Sequence, residues 1–270
     1  MGKIILSIIC LCLSFVCLGC NGQAASRQKP VWEDTKLSDL APVKPAGQAD
    51  AKKLNTINIQ VHIFEIPSEK VEKLDDISKI LTIQPFRFTR SNIFTANGFV
   101  AGFARTSEGD RVLELLNAAQ GRKAASIALI IENGQTDYVP VLRLFSAKSI
   151  FYTSLDGKTD SKTIGPGQLS LRITAHKSPV FRGTYIITAV PAVPSIIGGV
   201  GSQMQSLAKL NDIVFDSCSF SLQFSPGDFF LLRPIKYADH GNSLGSLFFS
   251  RPGIRPVVLA FLVICTDVKE

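Results

Sequence analysis

The sequence has few of the residues from which metal centres and covalent active sites are built. Among 270 residues there are three histidines, two methionines and one tryptophan. His62, His176 and His240 have no cysteine or carboxylate at ligand spacing, and a zinc site needs three or four converging ligands. No HExxH sequence occurs either. We therefore expect no metal, no cofactor and no enzymatic activity.

The chain also lacks long runs of one charge. Its 29 Lys and Arg against 22 Asp and Glu give a net charge of +7, but the basic residues stand singly or in short groups. A nucleic-acid interface is typically a basic stripe or patch, so no nucleic-acid partner is expected. The charge fits an ordinary basic surface, or contact with anionic lipid or glycan.

The first residues have the composition of a secretory signal peptide. A short basic start precedes an apolar stretch from Ile4 to Leu18, which is too short to span a membrane comfortably. Its end, CLGC, resembles a bacterial lipobox, with Cys17 where leucine is usual. This resemblance implies that residues 1–19 are removed and that Cys20 is lipidated. The alternative is cleavage near Ala24 to Ser26, which would release a soluble secreted protein.

A lipid on Cys20 would anchor the protein to a membrane of the cell envelope, and we expect the periplasmic side of the outer membrane. Residues 20–55 are rich in Ala, Gln, Lys, Pro and Asp without an apolar period, so they are predicted to form a flexible tether. The folded domain is then expected over residues 56–270.

The two cysteines inside that domain leave two interpretations open. Cys218 and Cys265 lie in apolar, strand-like runs, and neither has CxxC or Cys/His metal spacing. In an oxidising compartment they can form a disulfide. Two buried thiols are the other interpretation.

The start of the domain predicts one strand and two helices. Strict alternation from Ile57 to Ile63 predicts a strand with one buried side. A stripe of Val71, Leu74, Ile77 and Leu81 predicts a helix capped by Ser68. A second helix is predicted to open at Ser107 with Asp110, to bury Val112, Leu115, Leu116 and Ala119, and to stop at Gly121.

After Gly121 the pattern is almost entirely that of strands separated by turns. Asn133-Gly134 predicts a hairpin, and turns are also predicted at Asp156-Gly157 and Pro226-Gly227-Asp228. The apolar run from Val257 to Cys265 predicts a central strand covered on both faces. The expected fold class is α+β and strand-dominated, with mostly antiparallel sheets and two helices near the start of the domain.

One glycine-rich apolar segment is a candidate interaction loop. It lacks the GK[ST] ending of a phosphate-binding loop. In an envelope protein such a loop can contact lipid or a neighbouring subunit. Its residues are Ile196, Ile197, Gly198, Gly199, Val200 and Gly201.

INIQVHIFEI, which ends at Glu65-Ile66, resembles the first strand of the bacterial secretin domain of type II and III secretion and of pilus assembly. The order of the segments that follow is also similar to that domain. The helix from Asp110 to Ala119, followed by GRKAASIALIIENGQTDYVPV, resembles the passage of helix, strand, Asn-Gly-Gln turn and strand. SFSLQFSPGDFFLLRP, LGSLFFS and VVLAFLVICTDV are similar to the closing segments, and the resemblance covers about residues 57 to 268.

This resemblance implies a structural role in a secretion or pilus assembly, with self-assembly or secretion-system proteins as partners. Secretins are larger, so the resemblance implies a reduced domain on a lipoprotein rather than a self-sufficient channel. The alternative is a monomeric lipoprotein that binds a small ligand or glycan. A concave pocket lined by five phenylalanine rings would favour that alternative. The other interpretation of these rings is that they pack in the buried core. The rings are Phe86, Phe88, Phe94, Phe99 and Phe103.

Overall fold

The computed structural model describes residues 56–194, 212–238 and 241–266, which form two facing antiparallel sheets, a separate hairpin and a layer of short helices. The predicted strand-dominated α+β class is confirmed. The first sheet has the strand order β3-β12-β14-β1-β4, with β13 also paired to β14. Its strands are β1 (Thr56–Pro67), β3 (Phe99–Ala104), β4 (Arg122–Glu132), β12 (Phe229–Pro234), β13 (Ser250–Arg251) and β14 (Val257–Thr266).

The second sheet has the order β2-β11-β9-β8-β5, with β10 paired to β9. Its strands are β2 (Arg87–Phe88), β5 (Thr136–Leu144), β8 (Gly167–Lys177), β9 (Tyr185–Val193), β10 (Ile213–Val214) and β11 (Phe220–Phe224). Strands β6 (Lys148–Thr153) and β7 (Thr159–Ile164) form the separate hairpin, which turns at the predicted Asp156-Gly157. Every pairing between these strands is antiparallel.

The main core lies between the two sheets, where each contributes one face of alternating apolar side chains. Ile57, Ile59, Val61 and Ile63 of β1 are buried there, as the alternation predicts. Leu169, Leu171, Ile173 and Ala175 of β8 face them from the second sheet, all fully buried. Because successive side chains of a strand point to opposite faces, one regular pattern on each strand is enough to build this core.

A second core covers part of the outer face of the first sheet, over β1, β3, β12 and β14. Four α-helices are described: α1 (Leu74–Ser78), α2 (Ser91–Ala96), α3 (Gly109–Ala118) and α4 (Leu244–Phe249). Of these, α1 and α3 contribute to the second core, and α2 and α4 to the main core. Leu74 and Ile77 of α1, with Val112 and Leu116 of α3, pack on the sheet residues Phe64, Val258, Ala260 and Leu262. Strand β14 is therefore central in its sheet and buried on both faces, which confirms the prediction from its continuous apolar run.

The helix ends differ from their predicted caps. Ser68 begins a 3-10 turn that runs to Lys73 before α1, and its side chain makes no capping hydrogen bond. Helix α3 begins at Gly109 without a side-chain cap, after a 3-10 turn at Thr106–Glu108. At its end Gln120, not Gly121, takes the left-handed conformation with φ of 57°. The predicted apolar stripe of α3 is confirmed, and Val71, Leu74 and Ile77 are buried as predicted, but Leu81 lies beyond the end of α1 and is half-buried. The helix caps depend on local backbone geometry.

Two further short helices were not predicted from the sequence. Helix α2 buries Ile93 and Phe94, and α4 is buried along its whole length. Each has six residues, which is too short for the 3.6-residue period to be recognised in the sequence.

The Asn133-Gly134 turn does not form the predicted hairpin. It carries the chain from β4 in the first sheet to β5 in the second, and these two strands do not pair. Gly134 has φ of 84° and its N–H donates to the carbonyl of Ala175, 2.8 Å away. The turn was predicted correctly from its residues, but tertiary packing determines which strands pair with β4 and β5.

The Pro226-Gly227-Asp228 turn does the same in the opposite direction, from β11 to β12. The N–H of Gly227, with φ of 85°, donates to the carbonyl of Cys265 at 2.8 Å, and Cys265 N–H donates to the carbonyl of Asp228 at 3.0 Å. The apolar run after the turn, Phe229 to Leu232, then lies between β14 and β3.

Candidate functional site

The outer face of the second sheet carries several polar side chains, and none of the described helices packs on it. Tyr138, Arg172 and Val190 are cross-strand neighbours on β5, β8 and β9. Thr174 lies between Thr136 and Thr188 in the next row of the same face. The hydroxyl groups of Thr136 and Thr174 are hydrogen-bonded at 2.8 Å. The face therefore presents hydroxyl groups beside one arginine.

A groove of about 730 Å³ runs between this face and strand β7 of the hairpin. That volume is within the range of small-molecule sites, about 300–1,000 Å³. Its lining residues are mostly polar, and they carry charges of both signs. They are Lys162, Thr163, Arg172, Thr174, Thr188, Val190, Asp212, Ile213, Val214, Asp216 and Ser219.

Arg172, Asp212 and Tyr138 form the charged floor of the groove. The Tyr138 hydroxyl donates to Oδ2 of Asp212, and the same oxygen lies 4.0 Å from Nη1 of Arg172. The side chain of Asp212 is 5% exposed and that of Arg172 is 32% exposed. Burial, together with the hydrogen bond to Asp212, raises the pKa of Tyr138, so its hydroxyl remains a donor at neutral pH.

Lys162 fixes the hairpin to the second sheet. Its Nζ donates to the carbonyl of Val214 at 2.9 Å and lies 5.4 Å from the ring centre of Phe215 and 5.6 Å from that of Tyr152. A smaller cleft of about 410 Å³ shares Lys162, Val214 and Asp216 with the groove. The groove therefore continues around the hairpin into this second cleft.

A second feature is the outer edge of β4. Strand β4 is the last strand of the first sheet, and its other side pairs with β1 along its length. Among the described residues no strand pairs with its outer edge, where only the Glu132 carbonyl accepts a turn hydrogen bond from Gln135 N–H. From Ala124 to Ile131 the strand contains no charged residue and no proline. Ile130 is 69% exposed on it.

The other end strands of the two main sheets, β5, β3 and β2, are protected. β5 contains Pro140 at a break in register, and Arg251 donates to the carbonyl of Val141 at 2.7 Å. Thr82 bridges Phe103 beside β3 through two backbone hydrogen bonds of 2.8 Å. β2 has only two residues. Proteins usually guard sheet edges in these ways, so the open edge of β4 is a candidate for pairing with another chain.

The aromatic residues proposed as a ligand pocket both pack together and border a cleft. Phe94, Phe99 and Phe103 are buried, and Phe86 and Phe88 pack against them from half-buried positions. The centroids of Phe88 and Phe94 are 4.8 Å apart, and those of Phe94 and Phe99 are 5.5 Å apart. These three rings line a mainly apolar cleft of about 230 Å³. Most of the ring surface is therefore core, and only a small cleft is left.

Two arrangements were missed from the sequence. Ser126 Oγ and His62 Nδ1, on adjacent strands, are 2.5 Å apart on the exposed outer side of the first sheet. Burial and nearby Lys123 lower the pKa of His62. No described residue bonds the other ring nitrogen, so this pair lacks the orienting group of a catalytic triad. Only the β pairing register brings these two residues together.

The segment Gly241 to Gly245 has the Gly-x-Ser-x-Gly spacing of a nucleophile elbow. Its serine, Ser243, is the N-cap of α4 and accepts a hydrogen bond from Ser246 N–H at 3.3 Å. Its backbone is extended, with φ of −71°, rather than the strained turn of a nucleophile elbow. Among the described residues no histidine or carboxylate contacts its hydroxyl. Ser243 therefore acts as a helix cap.

Cys218 and Cys265 are both buried as thiols, and no disulfide joins them. The sequence left open either a disulfide or two buried thiols, and the structure agrees with two buried thiols. Burial raises the pKa of the Cys218 thiol to about 12, with a smaller opposing effect from Ser217. Cys218 is thus expected to be unreactive in the folded protein, because the thiolate is the nucleophile.

Several predicted residues lie outside the described part of the chain. These are Cys20, His240 and the candidate loop with Ile196, Ile197, Gly198, Gly199, Val200 and Gly201. Over residues 56–194, 212–238 and 241–266, no cluster of three metal-ligating side chains occurs. No helix in those same ranges has the length and apolar character needed to cross a bilayer.

Comparison with known proteins found no matching family model, no matching curated protein and no matching solved structure.

Proposed function

We propose that this domain is a non-enzymatic structural component of a cell-envelope assembly, similar to a reduced secretin domain and joined to a second copy through strand β4. The observation that carries the proposal is the open edge of β4. The sequence resemblance to secretins supports the same class of role. Lipid on Cys20 would attach the domain to the membrane on the periplasmic side, most simply that of the outer membrane.

Strand addition explains why this edge suits a partner. The unpaired N–H and C=O groups of an edge strand can hydrogen-bond to another strand, and exposed side chains on both faces add contacts. In β4, Ala128 and Ile130 are exposed on the face away from the main core. Arg122 and Lys123 stand at one end, where the register with β1 shifts. The uncharged part of the strand is therefore the part available for pairing.

The number of open edges bears on the size of the assembly. When one edge strand pairs with its own copy, the contact is isologous and closes at two chains. A ring needs two different complementary surfaces on each chain. We therefore expect a dimer from β4 alone, and a larger assembly would require a second contact elsewhere.

Sedimentation equilibrium of the full-length protein tests the edge. The unchanged chain is expected to dimerise reversibly, and a double change of Ala128→Lys and Ile130→Lys is expected to leave monomers, because charged side chains block edge pairing. The matched control is Val180→Lys, an apolar position that is 75% exposed in the loop between β8 and β9. Monomers of the unchanged protein at every concentration would refute self-pairing. So would dimers that the double change leaves intact.

Membrane attachment is tested separately. A Cys20→Ser change is expected to move the protein from the membrane fraction to the soluble fraction, with Cys17→Ser as the control. Unchanged fractionation of the Cys20→Ser protein would reject lipidation at Cys20, whatever the oligomeric state.

Binding of a small ligand or glycan by a monomer is the second candidate function. It is favoured by the polar groove over the second sheet, which is separate from the β4 edge. A protein that stays monomeric but binds a ligand in this groove would support this second function over the first.

A further inference from the structure

We propose that the groove over the second sheet binds an acidic oligosaccharide, with a sugar carboxylate paired to Arg172. This inference rests on the second candidate function and is independent of pairing through β4. Three observations carry it: the unused donors of Arg172, the hydroxyl groups beside it, and the balance of charge along the groove.

Arg172 is held in place without using its hydrogen-bonding capacity. Its closest charged partner, Asp212, lies 4.0 Å away, beyond hydrogen-bonding distance. Among the described residues none accepts a hydrogen bond from its guanidinium group, whose five N–H donors suit bidentate pairing with a carboxylate. The side chain is about two-thirds buried, being 32% exposed. A ligand carboxylate would therefore replace water on a group that is already positioned.

Asp212 and Tyr138 explain that positioning. The Tyr138 hydroxyl donates to the Asp212 carboxylate, which keeps that carboxylate beneath the guanidinium of Arg172. Because the Asp212 side chain is 5% exposed, it offers little surface to a ligand. It acts as a positioning residue for Arg172.

The neighbouring side chains suit the hydroxyl groups of a sugar. Thr163, Thr174, Thr188 and Ser219 line the groove. The hydroxyls of Thr163 and Thr174 already share one hydrogen bond each, with Ser149 and Thr136, but a hydroxyl can both donate and accept and so keeps capacity for a ligand. Asp216 is exposed at the same groove and can accept from sugar hydroxyls. A neutral polar chain would use these groups, but only an acidic one would also use Arg172.

The charge balance favours a single carboxylate over a phosphate dianion. Lys162 and Arg172 are opposed by Asp212 and Asp216 in the same groove. Lys162 is already committed to the Val214 carbonyl. A dianion would be repelled by the two carboxylates, whereas a monoanion on Arg172 is balanced. The continuation into the 410 Å³ cleft provides length for several linked sugars.

Calorimetric titration of the full-length protein tests the proposal with an acidic hexamer that carries one carboxylate, namely maltohexaose with a single glucose oxidised to glucuronic acid. Unmodified maltohexaose and inorganic phosphate are the comparison ligands. The acidic hexamer is expected to bind more tightly than either. Arg172→Gln is expected to weaken its binding by about tenfold or more, since a hydrogen-bonded charge pair is lost. Arg182→Gln, in the exposed loop between β8 and β9, removes the same charge at a distant place and is expected to change binding little.

Further variants separate a binding role from a folding role. Arg172→Lys keeps the charge but loses the fork of donors, so it is expected to fold normally and to bind with intermediate affinity. Thermal unfolding of each variant shows whether the fold is intact. The proposal is overturned if the hexamer does not bind, if Arg172→Gln and Arg172→Lys proteins that still fold bind it as tightly as the unchanged chain, or if phosphate competes on equal terms. The Ala128→Lys and Ile130→Lys protein is expected to bind the hexamer normally, whichever way the oligomerisation experiment turns out.

Discussion

The two sheets share one core, but their outer faces differ in character. On the first sheet, β14 buries both of its faces, with Phe261 toward the second sheet and Leu262 toward the helices. On the second sheet, β8 buries Leu171 and Ile173 inward, while Arg172 and Thr174 face the groove. The outer face of the first sheet at β14 is thus part of the folded interior, whereas the outer face of the second sheet at β8 remains available to a ligand.

The difference can be traced to the strand sequences. A strand that is covered on both sides is continuously apolar, whereas a strand with one solvated face alternates. VVLAFLVIC in β14 and LSLRITAH in β8 show the two patterns. We therefore expect substitutions on the covered face of β14 to change stability, and substitutions on the groove face of β8 to change ligand binding.

The largest effect is expected in the covered strand. Phe261→Ala should lower the free energy of unfolding by about 3–5 kcal/mol, because it opens a cavity against Phe248 and Phe249. Urea unfolding followed by circular dichroism measures the change. Phe181→Ala, in the loop between β8 and β9 where the ring is 56% exposed, should cost much less. Similar losses from both changes would contradict the assignment of Phe261 to the core.

A smaller loss is expected from the charge buried on the first sheet. Arg233, whose side chain is 6% exposed, donates to Asp75 at 2.8 Å and to Ser78 at 2.6 Å, tying β12 to α1. Arg233→Ala should cost about 2–4 kcal/mol, because packing and charged hydrogen bonds are both lost. Arg122→Ala breaks an exposed pair with Glu65 of nearly the same length, 2.7 Å, and should cost about 0–1 kcal/mol. Equal losses in urea unfolding would show that burial does not distinguish the two pairs.

The crossing turn between the sheets should show an intermediate effect. Gly227 has φ of 85°, and an added Cβ would lie 2.3 Å from Thr106 Oγ1. Gly227→Ala combines backbone strain with this clash, so a loss of about 1–3 kcal/mol is expected. Gly157→Ala has the same strain, with φ of 84°, but meets no atom within 4 Å. The melting temperature of the Gly157→Ala protein should therefore be higher than that of the Gly227→Ala protein. A lower melting temperature for Gly157→Ala would contradict the close approach to Thr106.

The smallest effect on stability is expected on the groove face. Thr188→Ala removes a half-buried hydroxyl that faces the groove, and its free energy of unfolding should change by no more than about 0.5 kcal/mol. Calorimetric unfolding checks this value. A loss as large as that of Arg233→Ala would mean that this face is structural, which would remove the contrast between the two sheets.

The sequence by itself determined which residues are buried and where the chain turns. The alternation in β1 and β8, the stripe on α3 and the apolar run of β14 each predicted a face that is buried in the structure. Asn133-Gly134 and Pro226-Gly227-Asp228 were recognised as turns because a left-handed glycine is a local requirement. These features depend on neighbours in the chain, so they can be read without the fold.

Only the tertiary structure decided which strands pair and what the surfaces offer. The two turns cross between sheets, and nothing local distinguishes that from a hairpin. Arg172 and Asp212 are forty residues apart in the chain and meet only because β8, β9 and β10 are neighbours in one sheet. The open edge of β4 likewise exists because β5 joined the other sheet instead of pairing with it. Many strands have similar local patterns and could pair with one another. Which of them pair is determined by how well the side chains of the whole core pack together.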